Sequence, residues 1–222
     1  MNKKVLVVAA HPDDEVLGCG GTIARHSSDG DEVYVIYMTN GVEARGENTQ
    51  AVIERAEAAE KSCKNLGVKS YEFFDFPDNQ MDTVALLKII QAIEGVIKRF
   101  RPEVIYTHHV GDLNIDHQLT HRAVMTACRP VPEFCVREIY AFEVASASEW
   151  QTPGVDTFIP NVFIDISRYL EKKNKSLHAY SMELKDWPHA RSLKALETKD
   201  STTGSVVGQG HTEAFMLIRK IC

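Results

Sequence analysis

The chain has no stretch approaching the ~20 apolar residues that a membrane-spanning helix needs. Its longest early apolar run, Val5 to Ala10, stops after six residues at His-Pro-Asp-Asp-Glu, too short and wrongly bounded for a signal peptide. There is no basic run: 25 Lys and Arg stand against 31 Asp and Glu, a net charge of −6. The electrostatic footprint of a nucleic-acid binder is therefore absent. The five cysteines are odd in number and form no Cys-x-x-Cys pair, as expected of reduced thiols in a cytoplasmic protein. A Gly-x-Ser-x-Gly elbow is missing, which disfavours a serine hydrolase. Gly18-Cys19-Gly20-Gly21-Thr22 is neither a Walker loop nor the dinucleotide fingerprint. No internal repeat, low-complexity tract or convincing domain boundary interrupts the chain. What remains is 222 residues, 44% hydrophobic and 25% charged. A chain of that length buries roughly 70% of its unfolded surface. It needs neither disulfide nor metal merely to fold, so a metal here would serve chemistry.

The first 130 residues alternate strand and helix patterns. Val5–Ala10 reads as a strand buried on both faces. A glycine-rich turn at 18–21 is expected to lead into a short helix ending near Asp29-Gly30. Val33–Thr39 reads as a strand, and Ala51–Leu66 as a helix stopped by Gly67. Tyr71–Phe76 follows as a strand and Thr83–Phe100 as a helix ended by Pro102. Val104–Thr107 is a fourth strand and Ile115–Cys128 a fourth helix. Strict alternation predicts a parallel sheet with helices on both faces. Beyond about 130, prolines break the pattern. Strands are expected at Glu138–Val144, Val162–Ile166 and Ala214–Arg219, with a helix over Ser167–Leu184. The whole chain, 1–222, reads as a single domain with a core of about 1–130. The remainder, about 131–222, is an elaboration that completes or walls the site.

Two polar crowds stand out. His11-Pro12-Asp13-Asp14-Glu15 ends the first strand, where ligands of doubly wound sheets bind. One imidazole and three carboxylates in five residues repel one another, and a divalent cation would relieve that cost. The bland alternative is a polar loop capping a helix. The fourth strand ends in His108-His109-Val110-Gly111-Asp112-Leu113-Asn114-Ile115-Asp116-His117, with His121 a turn later; four of the nine histidines fall in fourteen residues. Strands one and four are neighbours in a common doubly wound order, so the crowds would face one crevice. A mixed His/Asp site suits Zn²⁺ with an open position for water. His117 and His121 share a helix face, but the intervening Gln-Leu-Thr lacks the Glu of a zincin. His121 is expected to pack, and His26 and His178 lie away from any acidic cluster. Tyr140, Phe142 and Trp150 are equally readable as core or as sugar-stacking rings.

Ala10-His11-Pro12-Asp13-Asp14-Glu15, followed by Gly20-Gly21-Thr22, resembles the zinc-dependent de-N-acetylases of the PIG-L/LmbE family. Asp112-Leu113-Asn114-Ile115-Asp116-His117 is similar to that family's second motif. Further matches are Ala127-Cys128-Arg129-Pro130, Phe163-Ile164-Asp165-Ile166 and Pro188-His189-Ala190-Arg191-Ser192. The resemblance implies a Rossmann-like α/β fold and removal of an acetyl group from an N-acetylated amino sugar. It implies one Zn²⁺ per chain on His11, Asp14 and His117, with Asp13 as general base. Asp116 would orient His117 or hold the loop. Another common form of the family has a histidine where Asn114 stands. Asparagine donates a hydrogen bond but delivers no proton, so Asp13, His189 or His109 must supply the acid. Asp13 is expected to serve as both base and acid, with His189 at the oxyanion or the substrate. Arg55 and Asp78 resemble the family's sugar contacts, the alternative for Arg55 being a solvated helix face. Arg45 is a further candidate, for a phosphate or carboxylate. The substrate would be a small molecule, a sugar nucleotide or glycan precursor. Oligomeric state is not readable, although a homo-oligomer could complete such a site. Competing readings are a two-metal phosphoesterase and a non-catalytic sugar- or metal-binding protein.

Overall fold

In a computed structural model, residues 2–41 and 49–222 are described. Seven strands form one sheet: β1 (Lys4–Ala9), β2 (Glu32–Thr39), β3 (Ser70–Phe76), β4 (Val104–His108), β5 (Glu138–Phe142), β6 (Val162–Asp165) and β7 (Thr212–Lys220). Their order is β3-β2-β1-β4-β5-β7-β6. β1 pairs in parallel with β2 and β4, and only β7 runs against its neighbours. The helices are α1 (Asp14–Ser28), α2 (Thr49–Leu66), α3 (Leu86–Phe100), α4 (Ile115–Ala127), α5 (Leu170–Ala179) and α6 (Leu193–Val206). This is the expected single α/β domain with a mostly parallel sheet.

The alternation of β1 explains its hydrophobic run. Val5, Val7 and Ala9 face a core shared with α1, α2 and α5, while Leu6 and Val8 face one shared with α3 and α4. Both faces are covered, so no polar residue is tolerated between Val5 and Ala10. β5, β7 and β6 continue the same sheet beyond β4.

The glycine-rich segment departs from expectation. It is not a turn before a helix but lies inside α1, which starts at Asp14 and kinks at Cys19 (φ −151°, ψ 26°). A kink frees N–H groups from the helical ladder. Those of Gly21 and Thr22 donate to the Glu213 carboxylate at 2.9 and 2.7 Å. The segment thus cradles an anion, but the anion belongs to the chain itself. Its glycines also permit close approach: a Cβ on Gly18 would lie 2.2 Å from the Phe142 ring.

Three further helices differ from the sequence expectation. α3 begins at Leu86, after a 3-10 turn at Met81–Thr83. α5 is shorter than Ser167–Leu184, and α6 was not expected. α6 is rich in Ser, Thr and Gly and carries only a weak apolar stripe.

Candidate metal centre and active site

The pairing of β1 with β4 brings the two polar crowds together at the carboxyl ends of the strands. His11 Nδ1, Asp14 Oδ2 and His117 Nε2 form a triangle with sides of 3.2, 3.2 and 3.3 Å. Ligands held tetrahedrally at zinc bond lengths stand about 3.3 Å apart. The donor set of two imidazoles and a carboxylate suits the same ion. Asp14 Oδ1 is buried without a hydrogen-bond partner, a further sign that the carboxylate's capacity is not used within the protein. The triangle borders a cavity of about 350 Å³, which leaves space beside it for water or substrate. These three residues could therefore hold a zinc ion.

The electrostatics agree. Burial alone would discharge both imidazoles, but surrounding carboxylates outweigh it. Asp116, Asp14 and Asp78 hold His11 well above the usual histidine range, and Asp14 and Asp112 lift His117 to about 9. Burial works against the Asp14 charge, yet His117 and His108 hold its carboxyl well below its ordinary value. The cluster thus demands positive charge, which protons supply in the absence of a metal.

The supports of the two histidines are the reverse of one expectation. Asp116 does not contact the other nitrogen of His117; Asp112 Oδ1 stands there, 3.1 Å from Nδ1. Asp116 instead faces His11 Nε2 at 3.1 Å and accepts the N–H groups of Asn79 and Met81 at 2.6 and 3.1 Å. Carboxylates behind ligand imidazoles fix their ring orientation and raise their basicity. Beneath the triangle His108 stacks on His117, with centroids 4.0 Å apart. Its Nε2 accepts the Ala10 N–H at 2.8 Å, so the ring is neutral. Burial and the neighbouring His117 push its pKa well down. His121 is a packing residue, with Nδ1 on the His108 carbonyl.

Asp13 stands beside the triangle and outside it. It occupies the N-cap position of α1, but its side chain makes no capping bond and its φ is 119°. A non-glycine residue in that region is strained. The strain is held by Glu15, whose Oε2 accepts the Asp13 N–H at 3.0 Å. Glu15 Oε1 accepts Ser62 Oγ and the Tyr180 hydroxyl, both at 2.8 Å. The Asp13 carboxylate is thereby presented to the cavity. Burial raises its pKa against the opposing pull of Arg55 and Arg191.

Arg191 was visible in the sequence only as part of a matching motif. Its Nη1 donates to Asp13 Oδ2 at 3.0 Å, and its Nε to Ser146 Oγ at 2.7 Å. Arg55 is buried and not on a solvated helix face. Its Nη1 pairs with Glu183 at 2.6 Å, its Nη2 lies 3.5 Å from Asp13, and its Nε is buried without a partner. Glu183, which no sequence pattern singled out, comes from the irregular segment between α5 and α6. Asp78 lines the cavity and places Oδ1 3.2 Å from His11 Nε2. Asn114 also lines it, but its Oδ1 caps α4 by accepting the Asp116 N–H at 2.8 Å, and its Nδ2 donates to Asn79. His189 is not among the cavity's lining residues. It packs edge-on against Trp150, which does line the cavity, and its Nδ1 accepts the Arg191 N–H. His109 binds the Asp156 carbonyl. Tyr140 and Phe142 are core residues. Arg45 lies outside the described residues.

Residues 6–128 match the family described as GlcNAc-PI de-N-acetylase, PIG-L. The chain belongs to the PIG-L family. It is 30% identical over 179 residues, 78% of its length, to 91% of YaiS, named an uncharacterized deacetylase, of Escherichia coli K12. It is 26% identical over 201 residues, 82% of its length, to 70% of a diacetylchitobiose deacetylase of Thermococcus kodakarensis. The fold also matches GalB, a 4-carboxy-2-hydroxymuconate hydratase from Pseudomonas putida KT2440. That match has a TM-score of 0.80 and 24% identity, and covers 99% of this chain and 98% of that one. Among the described residues no helix is long and apolar enough to cross a membrane.

Proposed function

We propose that this chain is a zinc-dependent N-deacetylase that converts an N-acetylated amino sugar, in a sugar nucleotide or glycan precursor, to acetate and a free amine. The observation that carries this reading is the His11–Asp14–His117 triangle at zinc spacing beside a carboxylate, Asp13, that is not part of it. Zinc held by those three residues would polarise the amide carbonyl and acidify the attacking water.

Asp13 accepts the proton of that water. A ligand carboxylate is poorly placed for this, whereas an unbound neighbour within hydrogen-bond reach is suited to it. Arg191 and Arg55 steer the Asp13 carboxylate, and its raised pKa suits a group that must carry a proton and then return it to the leaving amine. Asn114 Nδ2 spends one hydrogen on Asn79 and keeps a second for the developing oxyanion. The partnerless Arg55 Nε offers a donor to a sugar hydroxyl, and Asp78 offers an acceptor. His189 acts at the rim, as a substrate contact. Arg45 is proposed as a further contact for an anionic group of the substrate.

A one-metal site is favoured over a two-metal phosphoesterase. The second trio that could hold a cation, His11 Nε2 with Asp78 and Asp116, shares His11 with the first. Filling both would strip the imidazole of both protons, and Asp116 is already occupied by two backbone N–H groups.

Acetate release by the zinc-loaded protein, from a panel of N-acetylated sugars, glycosides and sugar nucleotides, tests the proposal. Stoichiometric acetate and amine are expected from at least one class. Release of phosphate, or turnover of an unsaturated dicarboxylate by addition of water with no acetate from the panel, would overturn it.

A further inference from the structure

The interior of the cavity is polar, but its rim is not. Leu113 and Trp150 both line the opening and leave 52% and 53% of their surface in water. A half-bare indole beside a polar pocket is a familiar receptor for the apolar face of a ring. Resting on the deacetylase reading above, we propose that Trp150 is the stacking platform of a second sugar subsite. The preferred substrate is then a glycan in which the N-acetylated residue carries a further pyranose.

The platform is built, not merely exposed. Trp150 ends a 3-10 turn, Ser148–Trp150. The Ser148 hydroxyl donates to Asp112 Oδ2 at 2.6 Å and accepts the Val144 N–H at 2.8 Å. Asp112 is the carboxylate behind His117, so the turn is fastened to the metal triangle. On its other side Glu149 Oε1 accepts the Ser146 N–H at 2.6 Å, and Ser146 Oγ accepts Arg191 Nε. Arg191 in turn holds Asp13. The indole is therefore registered to both the ligand histidine and the proton acceptor. Such anchoring suits a group that positions substrate against the reacting centre.

The ring's neighbour specifies sugar chemistry. His189 packs edge-on to Trp150 with centroids 5.7 Å apart. Because its Nδ1 accepts the Arg191 N–H at 3.0 Å, its proton sits on Nε2. An aromatic plate beside an N–H donor matches a pyranose, which has a C–H face and hydroxyls at its edge. It matches an acyl chain less well. A pyrophosphate finds little to meet it: Arg55 and Arg191 are already paired with Asp13 and Glu183, His11 and His117 are engaged by the carboxylates of the triangle and its supports, and no other Lys or Arg lines the cavity among the described residues. At about 350 Å³ the cavity is near the small end of ligand sites, room for one sugar with the next emerging over Trp150.

The test compares kcat/KM for acetate release from a methyl glycoside of N-acetylglucosamine, from diacetylchitobiose and from a uridine-diphosphate N-acetylglucosamine, in wild type, Trp150→Ala, Trp150→Phe and Trp187→Ala. The expected disaccharide preference over the monosaccharide is roughly tenfold, carried mainly in KM. It should collapse in Trp150→Ala, return in large part in Trp150→Phe, and persist in Trp187→Ala. Trp187 is exposed, sits under Lys194 and does not line the cavity. An undiminished preference in Trp150→Ala, equal rates on the two sugars, or preference for the nucleotide would overturn the subsite. Calorimetry with glucosamine and its disaccharide, neither carrying an acetyl group, separates the two readings. A Trp150-dependent gain for the disaccharide without acetate release from any compound upholds the subsite and refutes the deacetylase. No binding gain together with acetate release does the reverse.

Discussion

Lys173, Asp200 and Glu213 are buried as deeply as His11, Asp13, Asp14 and His117, yet the two groups have different consequences. Lys173 Nζ meets Asp200 Oδ2 at 2.6 Å and Glu213 Oε1 at 3.0 Å. Glu213 also takes the two N–H groups freed by the kink of α1. The space left beside them is about 20 Å³. One ammonium and two backbone N–H groups together answer the two carboxylates, and no room remains for a ligand. At the head of β1 the same density of charge leaves Asp14 Oδ1 without a partner, holds two imidazoles charged against their burial, and opens on a cavity more than ten times larger. Buried charge does not by itself mark a site. Binding capacity left over, next to open space, does.

That contrast can be broken at several points. His117→Ala should have the largest effect: it removes a corner of the triangle, and both zinc and turnover should be lost. Metal analysis after gel filtration, with acetate assay, checks this; retained zinc would mean that the triangle is not the metal site. Lys173→Met should cost about 3–5 kcal/mol, because it leaves two buried carboxylates unpaired. Urea denaturation measures the cost. Turnover per folded molecule should stay at the wild-type value, since the closed cluster does no chemistry.

Glu15 tests the boundary between the two kinds of cluster. It is fully satisfied by Ser62, Tyr180 and the Asp13 N–H, yet burial pushes its pKa up to about 7. The folded protein then keeps a proton that the unfolded chain, at its ordinary carboxylate pKa, gives up at lower pH. Its ionisation therefore removes stability as pH rises from about 4.5 to about 7, by at most about 3 kcal/mol. Glu15→Gln abolishes this titration. The stability of the variant relative to wild type should rise with pH across that window and level off above it. A difference independent of pH would contradict the assignment. The smallest effect is expected at Asp112→Asn, which weakens the support behind His117. Zinc affinity should fall roughly 10- to 100-fold, as measured by competition with a chelator, while the same change at Asp200 should leave it unaltered.

The legibility of the chain follows the same division. β1, β2 and β4 were readable because strands covered on both faces need nearly unbroken apolar runs, whereas β3, an edge strand interrupted by Glu72 and Asp75, was readable from its aromatic residues. The two halves of the site were readable as short, unusually polar segments at strand ends, while the choice of His11, Asp14 and His117 within them came from the family resemblance. Supports contributed from afar were not. Asp116 is the immediate neighbour of His117 and Asp112 lies five residues before it, yet the path of the loop puts the more distant one behind His117 and the adjacent one against His11. Arg191 and Glu183 sit in an irregular segment that no periodicity marks. Glu213 lies 192 residues from the Gly21 N–H it accepts, so the glycine-rich segment resembled a turn awaiting a ligand. α6 was missed because its Ser, Thr and Gly residues carry little intrinsic helical preference.

The central claim is that the triangle holds the metal while Asp13, outside it, moves the proton. Asp13→Asn separates these roles with little change of shape. Zinc stoichiometry and acetate release, measured side by side on wild type and variant, are the direct test. The account predicts one zinc per chain in both proteins, with turnover in the variant reduced by about 10²–10⁴-fold. Wild-type turnover in Asp13→Asn, or loss of its zinc, would contradict it.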